Sequence, residues 1–168
     1  PLTQGGIYGD LAKLQDLLIY ALKGLAEVVV KEKPSASKLA DANHAMVNAL
    51  FMTITNANFD PDAIAVQVQR IITLRDSLKK PISDAILHDA AEFHTDNRDE
   101  MLWKAETVGV LTTENEDIRS LRELITYGLK GMAAYTDHAL NLGKEDPEIY
   151  AFLYEALAAT LDDSLTAD

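Results

Sequence analysis

An apolar stripe at helical spacing, repeated at one fixed offset, constrains this chain more than any other feature. Leu11, Leu14, Leu18, Leu22, Leu25 and Val28/Val29 recur at i, i+3, i+4 and i+7. That spacing is one face of a helix, predicted over 10–32. A shift of 107 residues lays this face on Ile118, Leu121, Ile125, Leu129 and Met132. Leu14 to Ala26 then aligns with Leu121 to Ala133, with seven of 13 positions identical. The same shift, without a gap, carries Ala49, Leu50 and Thr53 onto Ala156, Leu157 and Thr160. Shared amphipathicity alone does not keep one register through two successive helices, so the chain reads as two copies of a helical unit.

The remaining segments are helical as well. A second helix is predicted over 38–56, with Met46, Leu50 and Ile54 inward, and a turn at 56–59 follows it. Asp60-Pro61 is a cap followed by a first-turn proline, and it opens a third helix over 61–79 on Ile64, Val68, Ile71/Ile72 and Leu78. Pro81 ends that run. Shorter helices are expected near 83–92 and 98–108, on either side of a turn at 95–97. Thr113 with Glu116 has the spacing of a capping box for a long helix over 114–142, which Gly143 terminates. Asp146-Pro147 opens the last helix, to about 161. With no strand pattern the fold class is all-α, two related helical-bundle repeats. The expected division is 1–80 as a first three-helix bundle, 81–113 as connecting short helices, and 114–168 as a second, truncated repeat. The third helix of that copy would start at residue 168.

Composition narrows the function. With 48% apolar residues the chain can bury a core, and no apolar run reaches the roughly 20 residues of a membrane span. A net charge of −12 repels phosphate backbones and anionic lipid, so neither nucleic acid nor a membrane is an expected partner. No secretion signal is visible, and the cytoplasm is the expected compartment. The complete lack of cysteine excludes disulfides, thiolate catalysis and Cys-ligated metal within these residues.

Residue types reveal no catalytic constellation. No Glu has a His three residues later, which excludes the di-iron bundle signature. Asp84, His88 and Glu92 would share a helical face at i, i+4, i+8; a solvated charged stripe is the plainer reading than a metal site. Ser120 and Thr126 have no partner base in the sequence, and Trp103 with Met101 reads as a packing anchor. Tyr20 and Tyr127, equivalent by the offset, read as structural. Gly24 and Gly131 share one mid-helix site, where glycine costs about 1 kcal/mol against alanine, so both are expected to mark close helix contacts.

Longer strings resemble a known family. Leu14-Gln-Asp-Leu-Leu-Ile-Tyr-Ala-Leu-Lys-Gly24, Thr53-Ile-Thr-Asn-Ala-Asn-Phe59, Val108 to Leu124 and Gly128 to Ala139 resemble the hybrid-cluster (prismane) proteins, or hydroxylamine reductases. The resemblance implies an N-terminal helical domain of two three-helix bundles, reduction of hydroxylamine to ammonia, and two cofactors: a cubane-type iron–sulfur cluster and an Fe–S–O hybrid cluster. It also implies a cluster cysteine in a Gly-x-Cys-Gly-Lys turn just before the Leu-Gln-Asp-Leu-Leu helix. Here that stretch is Gly6-Ile7-Tyr8-Gly9-Asp10, with Tyr8 at the ligand position, and a phenol is a poor substitute for a soft thiolate. No catalytic, cofactor-binding or metal residue carries over, and no cofactor is expected in this chain. The expected function is a non-catalytic scaffold for such an oxidoreductase; the alternative is a free-standing or engineered helical interaction module. A second repeat of only two helices would leave a groove between Leu121, Ile125, Leu129 and Met132 on one side and Leu153, Leu157 and Leu161 on the other. The expected partner is a second copy of the chain, or the missing catalytic domains.

Overall fold

The stripe of the first helix is buried from Leu11 to Val28, and the fold is built around it. A computed structural model describes residues 4–54, 60–80 and 84–166, with side chains from residue 9 onward. Among these residues there are seven α-helices and no strand: α1 (Gln4–Glu32), α2 (Ala36–Met52), α3 (Pro61–Leu78), α4 (Asp89–Glu92), α5 (Arg98–Val108), α6 (Glu116–Asn141) and α7 (Pro147–Ala159). A 3-10 turn, Val110–Thr112, precedes α6.

Leu14, Leu18, Leu22, Leu25 and Val28 of α1 are inaccessible to solvent, each worth about 1.5–3 kcal/mol of transfer free energy. α3, α4, α5 and α7 all pack on α1, while α6 packs on α2. α7 therefore lies against the first helix of the chain and hardly touches its neighbour α6. This closes most of the expected groove from within the chain: Leu129, Leu153 and Leu157 are buried beside α1 and α2 residues in one continuous core. Leu121 and Ile125 each remain 41% exposed.

Local signals set most of the helix ends. Asp60 Oδ1 accepts from the amides of Asp62 and Ala63, and Asp146 from that of Glu148; in both helices proline follows. At the end of α6 the Gly143 amide bonds Leu140 O and the Lys144 amide bonds Ala139 O, with Gly143 left-handed at φ 68°. This is a Schellman ending, in which glycine avoids the Cβ penalty. α1 stops at Lys33, itself left-handed at φ 49°, just before Pro34.

Four expectations are corrected. The stretch 6–10 is not a turn before the helix, because α1 begins at Gln4. The helix expected over 83–92 is the single turn of α4, and residues 84–88 run without helix. α2 ends at Met52 with Thr53 as its cap; the turn at 56–59 and Pro81 lie outside the described residues. The cap of α6 is Asn115, whose Oδ1 accepts from Asp117 and Ile118, and Thr113 terminates the 3-10 turn instead. Asparagine caps better than threonine and stands closer to the first free amides. Asn115→Ala is therefore expected to cost about 1 kcal/mol and Thr113→Ala close to nothing, as chemical denaturation would report.

The two aligned glycines occupy different surroundings. A Cβ on Gly24 would stand 1.9 Å from Ala90 O, whereas one on Gly131 would meet nothing within 4 Å. The close contact expected at both sites exists only at Gly24. Tyr20 is likewise half-buried and Tyr127 is 77% exposed.

Candidate functional site

The face of α1 that carries Asp16, Tyr20 and Lys23 opens onto a cavity of about 410 Å³. These positions, at i, i+4 and i+7, lie one above another on a helix. From α6 come Arg119, Arg122, Glu123, Thr126 and Lys130, again one face. α5 contributes Lys104 and Thr107, and the segment after α7 contributes Thr160 and Asp163. Gly109 lets the chain pass beside Asp16: a Cβ there would lie 3.2 Å from Asp16 Oδ2. Five of the 15 lysines and arginines line this cavity, against four of the 27 acidic residues, so an acidic chain collects positive charge at one place.

Most of these charges are already partnered. Lys104 Nζ and Tyr20 Oη both donate to Asp89 Oδ2 at 2.5 Å, tying α5 and α1 to α4. Lys104 Nζ also lies 5.5 Å from the centre of the Tyr20 ring. Those two hydrogen bonds, from Lys104 first, hold the Asp89 carboxyl below its ordinary range. Burial, reinforced by Asp89, pushes the Tyr20 phenol up. Arg122 donates to Asp163 Oδ1 at 2.9 Å, and Arg119 bonds Thr113 O at 3.1 Å with Glu116 at 3.4 Å.

A second group has no such partners. Among the described residues, the side chains of Asp16, Lys23 and Glu123 make no ion pair within 4 Å and no hydrogen bond, and that of Lys130 reaches only Thr53 O at 3.4 Å. Burial raises Asp16, with Glu123 adding to the effect and the two lysines opposing it; burial lowers both Lys23 and Lys130, against the pull of Glu123 and Asp16. The 107-residue offset of the sequence carries Asp16 to Glu123 and Lys23 to Lys130. They lie inside the aligned strings of the sequence. Matching charge signs could have marked them, but no sequence signal says that both faces meet in one cavity.

The residues singled out by sequence do not assemble. Asp84, His88 and Glu92 share no helical face: His88 caps α4, its Nδ1 accepting from the Ala90 amide at 3.0 Å, and Glu92 pairs with Lys79 at 3.4 Å. Met101 is buried, while Trp103 points outward. Ser120 bonds back to Glu116 O at 2.7 Å, and Thr126 alone of that pair lines the cavity. Tyr8 lies in the first turns of α1, and its side chain lies outside the described residues. Among the described residues, no three of His, Asp or Glu come together as a metal site.

Similarity to other proteins covers the same residues. The family described as "Prismane/CO dehydrogenase family" matches residues 5–167. A hydroxylamine reductase of Acetivibrio thermocellus is 58% identical over 169 residues, spanning 99% of this chain and 31% of that protein. One from Clostridium botulinum is 45% identical over 198 residues, 99% of this chain and 35% of its own length. One from Desulfitobacterium hafniense is 48% identical over 169 residues, 97% of this chain and 31% of its own. The chain thus spans about a third of the length of these relatives.

Proposed function

The chain belongs to the Prismane/CO dehydrogenase family, and from that premise we propose that it is the helical part of a hydroxylamine reductase of the hybrid-cluster type, a scaffold with no redox chemistry of its own. Identity to hydroxylamine reductases along nearly the whole chain supports the first half of this reading. The donor set supports the second. An iron–sulfur cluster needs soft thiolates, and the 168 residues contain no cysteine. The residues present do not fit such a cluster, and Tyr8 would offer only a hard phenolate at that position.

Scaffolding requires a surface to build on. α6 presents Leu121, Leu124, Ile125 and Tyr135 to solvent along one side. Apolar patches of this kind mark contact surfaces. The proposed cover is the catalytic portion of the longer polypeptide, or a second copy when the chain stands alone; the same patch is what favours the alternative of a helical interaction module. No described helix is long and apolar enough to cross a membrane, and the cytoplasm is the compartment we assign.

Two measurements on the purified chain test this. Iron and acid-labile sulfide are expected at background level, with no reduction of hydroxylamine by a reduced viologen dye; stoichiometric iron and sulfide would overturn the scaffold reading. Sedimentation at high micromolar concentration is expected to give a dimer of the 18.4 kDa chain, and a clean monomer there would remove the second copy as partner.

A further inference from the structure

We propose that the cavity between α1 and α6 binds a small zwitterion, a ligand with an ammonium and a carboxylate on one short frame. Four half-buried charges face this space: Lys23 and Lys130, Asp16 and Glu123. The other ionised groups of the wall already hold partners, Lys104 with Asp89 and Arg122 with Asp163. The four feel one another's fields, each lysine being favoured by both Asp16 and Glu123, but none makes a direct ion pair within 4 Å among the described residues. Within each helix the acid and the lysine are seven residues apart, about 10 Å along the axis, which is too far to pair.

Half-buried charges with no direct partner are only partly solvated, so the space between them holds either water or a ligand that answers them. A simple anion would meet Lys23 and Lys130 but would also face Asp16 and Glu123. A simple cation would have the reverse difficulty. One molecule with both signs satisfies all four groups, and about 410 Å³ suits a molecule of amino-acid size. The excess of lysine and arginine in the wall would draw in the carboxylate end. Burial acts on Asp16, Lys23 and Lys130 in the direction that a bound counter-charge would reverse. The proposal is independent of the scaffold reading, because it involves neither iron nor reduction.

Calorimetric titration with L-glutamate, glutarate and 1,4-diaminobutane separates the possibilities, because glutarate lacks only the ammonium of glutamate. Glutamate is expected to bind at least about tenfold more tightly than either of the others. Lys130→Met and Asp16→Asn are each expected to weaken glutamate by about tenfold or more, with helical circular dichroism unchanged. Lys23→Met and Glu123→Gln provide the same comparison if either first variant fails to fold. Equal binding of glutarate would overturn the proposal in favour of an oxyanion site. So would the absence of any heat at about 10 mM ligand, or glutamate affinity that ignores all four substitutions.

Discussion

Gly24→Ala is expected to lower the stability of this chain by about 2–4 kcal/mol, although alanine is the better helix former by nearly 1 kcal/mol. The reason is steric. The added Cβ would stand 1.9 Å from Ala90 O, 2.4 Å from its carbonyl carbon and 2.9 Å from the Ala91 amide. These are backbone atoms, which have no rotamer in which to retreat. α1 and the 88–91 turn would have to separate, and that turn is held by three further contacts. Tyr20 donates to Asp89, Glu27 accepts from the His88 amide at 2.8 Å, and Arg75 donates to Ala90 O at 2.9 Å. Gly131→Ala is expected to do the opposite, stabilising by up to about 1 kcal/mol, because its new methyl meets nothing. Denaturant midpoints moving in opposite directions are the expected result; a stabilised Gly24→Ala would contradict the close packing of α4 on α1.

Arg75→Met carries the second large effect. This guanidinium is 1% exposed, yet it is held by Asp76 through Nε at 2.8 Å and Nη2 at 2.7 Å while Nη1 reaches Ala90 O. Methionine fills similar space but leaves the buried Ala90 carbonyl without a donor and removes the main partner of Asp76. The expected cost is about 2–4 kcal/mol, a large share of the 5–15 kcal/mol available to a typical domain. Arg75→Lys is expected to recover little, since one ammonium cannot reproduce the planar fork that reaches both acceptors. Gly24 and Arg75 both meet the Ala90 carbonyl. The double variant is therefore expected to lose about 1 kcal/mol less than the two single losses added together, because the first substitution already frees the turn. Strict additivity in urea denaturation would show that the two helices hold the turn independently.

How much of this was legible in the sequence follows the range over which each interaction acts. The stripe from Leu11 to Val28 is local in its cause: a helix brings these residues to one side whatever it later meets, and all of them are buried. Caps are equally local. Asp60 and Asp146 bond amides two or three residues ahead, and the Gly143 ending needs only its own turn. The misread cap at Thr113 was a choice between neighbours, settled by the 3-10 turn that Thr113 closes. The short helix at 83–92 failed for another reason. Glu27, 61 residues earlier, takes the His88 amide and Arg75 takes the Ala90 carbonyl, and neither partner is visible from within the segment.

The sequence by itself determined the all-α class, the long helices and most of their ends, because those depend on contacts within about one turn of the residue concerned. Only the tertiary structure decided which helices meet. The aligned glycines, tyrosines and leucines have similar local sequences, but Gly24 lies under the backbone of Ala90 while Gly131 lies in the open. The same holds for the four charges at the cavity. Asp16 and Lys23 are fixed to one side of α1, and Glu123 and Lys130 to one side of α6, by helix periodicity alone. That the two sides face each other follows from the packing of α7 on α1 and α6 on α2, and packing between elements depends on their crossing geometry, which no local spacing encodes.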